Sequence, residues 1–336
     1  MGFTWRIKMS DERDFGEVQD VEVTILVDNR ADLIVRSTET VKRFTEEPLL
    51  AEHGFAALID LKSTHTRILW DAGIIPTTAL ENMRRMELDP KSIDMIAISH
   101  GHGDHTAGVT GILKAFDLGP EVQEWELDTP TEEILKEIEW KKIPLVAHPA
   151  AFRERWRIPK DEKMIGPGLP PPRDEWEAAG AEIILSEGPY RFASGCWTTG
   201  HVPRRSFEKS GRPADMAYRE GNTFLPDDLE EDQAIILNVK GKGLVVVSGC
   251  AHSGIVNTVK HGMEISGVEE VWAILGGFHL ARSPEDEIDR TIEAIKELKP
   301  KLIAPSHCTG FHAMCQFYNQ MPEEFVYGVV GTKYVF

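Results

Sequence analysis

One stretch constrains this chain more than any other: residues 99–108, SHGHGDHTAG. It places His100, His102 and His105, three of the twelve histidines, together with Asp104 inside six residues. Neutral imidazoles and carboxylates are the donors that zinc and related divalent ions take. The apolar run 93–98 before it reads as a buried strand, and the apolar spacing over 107–116 predicts a helix. The donors therefore fall where a strand turns into a helix. Gly101 and Gly103 permit a sharp turn there and bring no side chains to crowd a cation. Alternation points His100 and His102 the same way, and the tightening turn brings Asp104 and His105 round to a neighbouring point. That arrangement suits two metal ions sharing one loop.

The HxHxDH pattern resembles the signature of the metallo-β-lactamase-fold hydrolases. The resemblance implies an α/β protein: an αββα sandwich of two mixed sheets with outer helices. It also implies that His100 and His102 bind one metal, while Asp104 and His105 bind a second. The substrate stays open, because the superfamily cleaves lactams, thioesters and phosphodiesters on one scaffold.

At 336 residues the chain can bury one large domain with an insertion. Its net charge of −18 argues against a nucleic-acid partner, since phosphate-backbone binders concentrate Lys and Arg on one face. No stretch approaches the roughly 20 apolar residues that span a bilayer. Residues 1–20 lack the order of a secretory signal and read as a charged lead-in. Four cysteines are too few for a disulfide scaffold of this size. A cytoplasmic protein with reduced thiols, free to form a homo-oligomer, fits these features.

Along the chain, 21–27 reads as a half-buried strand, 55–61 and 66–70 as a hairpin pair closing on Asp71-Ala72-Gly73, and 77–86 as a helix. Residues 117–191 change character: 121–142 is acidic and helical, 145–147 a short strand, 150–156 helical, and 166–172 a Gly/Pro loop. Four of the eight tryptophans (Trp125, Trp140, Trp156, Trp176) fall in this segment. It reads as an insertion, either a lid over the metal loop or a body with its own core. Beyond it, 234–239 and 244–247 form a hairpin, 253–265 and 285–298 helices, and 271–275 and 302–304 buried strands. The layout of the first half is thus repeated in the second.

A two-metal site needs further donors, at the ends of later strands facing the same edge. The resemblance places the third ligand of the first metal at His201, in TGHVPR, with Arg204 as an anion clamp. It places a bridging Asp where this chain has Cys250, in SGCAHSG. A thiolate is a good zinc ligand, so Cys250 can bind a metal, or His252 can take that duty or donate a proton. His307, after the strand 302–304, would complete the second metal, with Cys308 beside it pointing away. His279, in GGFHL, is a candidate acid or substrate contact, and His53 a candidate at the mouth. His148 and His312 read as structural, His65 and His261 as surface residues. Asp104 would orient a metal-activated water.

Five stretches narrow the resemblance: EHG at 52–54, LWDAG at 69–73, SGCAHSGIVN at 248–257, GGFHL at 276–280 and HCTG at 307–310. Together they resemble the 7,8-dihydropterin-6-yl-methyl-4-(β-D-ribofuranosyl)aminobenzene 5'-phosphate synthases. That group's implied reaction joins a dihydropterin methyl diphosphate to an aminobenzene ribosyl phosphate and releases pyrophosphate. His201 departs from the acidic residue of that group and favours a hydrolase-like first site. Three functions follow: a metal-dependent hydrolase of a phosphoester or diphosphate, a pterin-linked synthase, or a non-catalytic metal-binding or redox module. For the two enzymes the partner is a small molecule, phosphorylated or pterin-like. Arg153, Arg155 and Arg157 offer anion contacts in the lid, or simply balance an acidic surface. The expected cofactor is two divalent ions, zinc first, with manganese, iron or nickel compatible with the same donors.

Overall fold

The computed structural model of the chain describes residues 14–120, 125–126, 128–132, 134, 140–159, 163–209, 211 and 215–336. The lead-in up to residue 13 and half of the acidic stretch 121–142 lie outside the described residues.

Two sheets form the centre. The eight-stranded sheet runs Val41–Arg43, Thr332–Val335, Val21–Val27, Ala56–Leu61, Thr66–Trp70, Met95–Ala97, Ile143–Ala147, Ala181–Leu185 from edge to edge. It is antiparallel as far as Thr66–Trp70 and parallel from there on. The six-stranded sheet runs Arg191–Ala193, Cys196–Thr198, Ala234–Val239, Gly243–Ser248, Val271–Gly277, Leu302–Ser306. It too changes from antiparallel to parallel, at Gly243–Ser248.

Period-two alternation explains the layers. Ile59, Ile68 and Trp70 of the first sheet meet Ile235, Val245 and Leu275 of the second in one buried cluster. Their neighbours Leu58, Leu69 and Ile96 face outward onto Met83, Ile112, Leu113 and Trp176. On the other side Ile236, Val246 and Ile274 meet Val256, Val259, Ile288 and Phe317. Strands covered on both faces must be apolar at nearly every position, which is why runs such as 93–98 were legible as buried strands. The helices Thr78–Arg85, Val109–Phe116 and Arg173–Ala178 cover one side. Ile255–Ser266, Glu285–Glu297 and Phe311–Gln320 cover the other. The result is the αββα sandwich.

Described parts of the segment 117–191 join the two main sheets. Ile143–Ala147 and Ala181–Leu185 extend the large sheet, and Arg191–Ala193 forms the edge of the other. Trp176 is fully buried in the outer layer of the main scaffold, its Nε1 donating to Thr110 Oγ1 at 3.2 Å. Residues 150–156 are not helical: Pro149–Phe152 makes a 3-10 turn and Arg155–Arg157 a strand. That strand joins Ile165–Gly168, Met216–Glu220 and Thr223–Pro226 in a small four-stranded sheet. A sheet partner sixty residues downstream overrides the local helical spacing, as long-range pairing can.

Candidate metal centre

The parallel strands point their carboxyl ends at one edge, where open α/β sheets bind ligands. Asp71 follows Thr66–Trp70, and the histidine loop follows Met95–Ala97. Cys250 and His252 follow Gly243–Ser248, His279 follows Val271–Gly277, and His307 follows Leu302–Ser306. His102 is extended (φ −71°, ψ 146°) and caps the one-turn helix Gly103–Thr106 that swings Asp104 and His105 inward.

Two donor triads result. Ring nitrogens of His100, His102 and His252 lie within 4.8 Å of one another, as do donor atoms of Asp104, His105 and His307. Cys250 Sγ stands between them, 3.1 Å from His105 Nε2 and in one group with His100 and His105. Asp104 Oδ2 lies 3.3 Å from His307 Nε2 and 3.8 Å from His105 Nε2.

The outer nitrogens of three rings are committed. His105 Nδ1 lies 2.7 Å from Asp71 Oδ2, and His252 Nδ1 2.9 Å from the Gly211 carbonyl. His307 Nδ1 lies 3.1 Å from Asn29 Oδ1, whose identity as the oxygen is fixed because it also accepts from Gly54 N at 3.3 Å. Each of these partners accepts, so each Nδ1 carries the proton and each Nε2 turns a lone pair inward. His105 Nε2 and His307 Nε2 then face each other at 3.2 Å, and His252 Nε2 is buried without a hydrogen-bond partner among the described residues. Facing lone pairs repel unless a proton or a metal cation lies among them. The donor set therefore fits divalent metal ions, with carboxylate and amide partners orienting the imidazoles.

Electrostatics agree. Burial, then the neighbouring rings, holds His100 and His252 well below the usual imidazole value, and burial holds His102 down to about 4. Burial also opposes protonation of His105, but Asp71 and Asp104 outweigh it and raise the ring to about 9, so without a metal its Nε2 also holds a proton, which it directs at His307 Nε2 and which a bound cation would displace. Burial disfavours ionised Asp104, yet His105 and His307 hold its carboxyl well below the carboxylate range. Burial pushes the Cys250 thiol up, so it needs a cation to ionise.

His201 stands apart from this cluster. It is exposed, with Nδ1 2.8 Å from the Glu230 carbonyl, and it lines a cleft of about 510 Å³ with His148, Arg153, Glu187 and Glu230. His252 occupies the place beside His100 and His102 that the resemblance gave to His201. Arg204 donates to the carbonyls of His252 and Asp228 and so holds the backbone of His252. Arg155 is buried between Asp227 (2.6 Å) and Glu231 (2.5 Å), and Glu231 Oε1 accepts from Gly101 N in the histidine loop. His53, its side chain 67% exposed, reaches 3.4 Å from Asp104 Oδ2 at the rim. His279 is half-buried, its ring centroid 4.1 Å from that of His252. Asp71 and Asn29 escaped the sequence reading. Their signals were a lone acid directly after an apolar strand and the Asp-Asn that ends the first strand. Cys308, expected to point away, offers its sulfur to the same centre.

A model of the metallo-beta-lactamase superfamily matches residues 51–307. The 7,8-dihydropterin-6-methyl-4-(beta-D-ribofuranosyl)-aminobenzene-5'-phosphate synthase of Methanocaldococcus jannaschii is 34% identical over 283 residues, 83% of this chain and 88% of that protein. An uncharacterized protein of the same organism is 29% identical over 309 residues, 92% of this chain and 98% of its own length. Among solved structures, Tm1679, described as a metal-dependent hydrolase of the beta-lactamase superfamily, has a TM-score of 0.68 at 21% identity, covering 93% of this chain and 98% of that one. With the profile spanning most of its length, the chain belongs to the metallo-beta-lactamase superfamily and is one of its enzymes.

Proposed function

We propose that this enzyme is a divalent-metal-dependent pterin-linked synthase, which condenses a dihydropterin methyl diphosphate with an aminobenzene ribosyl phosphate and releases diphosphate. The observation that carries the reading is the 34% identity to the named synthase across nearly its full length. In this reading His100, His102 and His252 hold one metal, Asp104, His105 and His307 the second, and Cys250 lies between them, with zinc as the ion. Bound metals supply Lewis acidity toward phosphoryl oxygens.

The protein's own groups do the positioning. Asp71 and Asn29 lock the rings of His105 and His307, so the donor array needs no rearrangement when substrate arrives. Asp104 remains an acceptor at the rim, where His53 is exposed enough to turn toward substrate. His279, at the inner wall, has an Nδ1 without a hydrogen-bond partner among the described residues and is placed to donate to a departing phosphate oxygen. The cleft of about 510 Å³ at His148, Arg153 and His201 is of the size that takes a small aromatic substrate. It adjoins the histidine loop, because Ala150 and Glu230 of its walls neighbour Ala151 and Glu231, which pack on Gly101.

A second reading, hydrolysis of a phosphoester or diphosphate, is favoured by the solvent access of His53 beside Asp104. One experiment separates them. Metal-reconstituted protein is incubated with the dihydropterin methyl diphosphate, with and without the arylamine. Diphosphate released only with arylamine, in step with the condensed product, supports the synthase. Release without arylamine transfers the enzyme to the hydrolase reading, and no release in either mixture refutes the synthase.

A further inference from the structure

We infer that Cys308 is a second sulfur ligand of this centre, acting beside Cys250, and that the pair makes the site select zinc or iron(II) over manganese or magnesium. The inference rests on the reading that the cluster holds metal.

The local backbone turns this residue inward. The strand Leu302–Ser306 ends one residue before His307, which takes a left-handed conformation (φ 47°) and opens the 3-10 turn His307–Thr309. Strand alternation therefore stops at Ser306, and consecutive side chains no longer point to opposite faces. Both His307 and Cys308 face the centre. The sulfurs of Cys250 and Cys308 and a ring nitrogen of His307 lie within 4.8 Å of one another. Donors around one tetrahedral zinc are about 3.3–3.8 Å apart, given metal–donor lengths of about 2.0–2.3 Å, so these atoms need only small side-chain rotations to share an ion.

Room for the second sulfur is built into the facing strand. A Cβ on Gly277 would fall 2.6 Å from Cys308 Sγ and 2.4 Å from the Gly249 carbonyl oxygen, so only glycine leaves space for the sulfur there. Besides a weak hydrogen bond to the Cys250 carbonyl at 3.5 Å, the thiol meets the side chains of Cys250 and His279, both at the same centre. Thiolates are soft donors. A cation that takes two of them is zinc, iron(II) or cobalt(II) before manganese or magnesium, which prefer oxygen. On binding, each thiol gives its proton to solvent and its sulfur lone pair to the ion.

Cobalt(II) reports the sulfurs directly through thiolate-to-metal charge-transfer absorption in the near ultraviolet. Bound cobalt is quantified first, and a protein that takes up none refutes the metal reading itself. With cobalt bound, Cys308→Ser and Cys250→Ser should each remove about half of the band and the double variant all of it, while Cys315→Ser on the outer helix removes none. A full band in Cys308→Ser, at unchanged cobalt content, overturns the inference and leaves the metal reading standing. Should Cys308→Ser fail to fold, X-ray absorption of the zinc-loaded natural protein decides. Two sulfur neighbours per chain at about 2.3 Å support the assignment, and one overturns it. In competition, Cys308→Ser should also lose preference for zinc over manganese by roughly tenfold or more. An unchanged preference counts against the selectivity.

Discussion

Replacing Asp71 by Asn tests how the centre is oriented while barely changing its shape. Asp71 is wholly buried and uses both oxygens: Oδ1 accepts from Ser99 N at 2.7 Å, and Oδ2 accepts from Ser99 Oγ at 2.8 Å and faces His105 Nδ1 at 2.7 Å. In Asp71→Asn the amide oxygen can keep the Ser99 backbone contact, which leaves the NH₂ facing His105 Nδ1. Two donors then meet, and the ring relieves the conflict by moving its proton to Nε2, the nitrogen that faces Cys250 and His307. That nitrogen can no longer bind a metal without first losing a proton. Removing such a ring-orienting partner costs about 10–100-fold in metal affinity, or about 1.4–2.7 kcal/mol. Titration of zinc against a chromophoric chelator at neutral pH, with circular dichroism to confirm the fold, measures it. A folded variant whose affinity stays within about twofold of the natural protein would show that Asp71 does not set the tautomer of His105.

Four further outcomes are expected. His252→Ala should lose metal by elemental analysis while His201→Ala keeps it; the reverse result would return the third histidine of the first metal to His201. Arg155→Met leaves Asp227 and Glu231 buried and unpaired under the histidine loop, and should cost about 3–5 kcal/mol in denaturant unfolding. Gly249→Ala would put a Cβ 2.1 Å from Ser99 Oγ and 2.8 Å from Asp71 Oδ2, an overpacking cost of about 1–3 kcal/mol by the same assay. Metal-free protein should be most stable near pH 6.5. His102, lowered to about 4, contributes stability that is lost as pH falls from 6.5 through 4, and His105, raised to about 9, contributes stability that is lost as pH rises from 6.5 through 9. A thermal midpoint of the metal-free protein flat across that range would contradict these assignments.

The elements legible in the sequence are those whose signal is local. The stretch 99–108 carries its strand, turn and helix beside its donors, so His100, His102, Asp104 and His105 could be read as a unit. His201 against His252 could not, because both follow strands that end on the same edge. Lateral position separates them: Cys196–Thr198 lies two strands out from Gly243–Ser248, about 9–10 Å at ordinary strand spacing. That distance depends on strand order, which no local pattern encodes. Arg155 likewise looked like one of three exposed arginines until its strand paired with Met216–Glu220 and drew it over Gly101. Cys308 was misplaced by carrying strand alternation one residue beyond the strand's end.

The same edge concentrates backbone strain, and this bears on what the metal does for the fold. Asp71 (φ 59°), Ala251 (φ 53°), His279 (φ 49°) and His307 (φ 47°) all take left-handed conformations within three residues of the ends of strands of the two sheets. Each costs about 1–2 kcal/mol relative to ordinary backbone, yet each lets a strand end turn its next side chains inward at once. With the buried imidazoles of His100 and His252 and the half-buried one of His102 added, the metal-free edge is a local excess of free energy that bound cations offset. Binding at 100 to 1,000 times the dissociation constant stabilises a fold by about 2.7–4.1 kcal/mol. In a chain of this length that corresponds to a rise of several degrees in the unfolding midpoint. Chelation should therefore lower the midpoint, zinc should restore it in a concentration-dependent way, and His252→Ala should blunt the recovery. A midpoint indifferent to chelator would mean that the four strained turns and the buried imidazoles are carried by packing alone, and the case for a metal at this edge would fall with it.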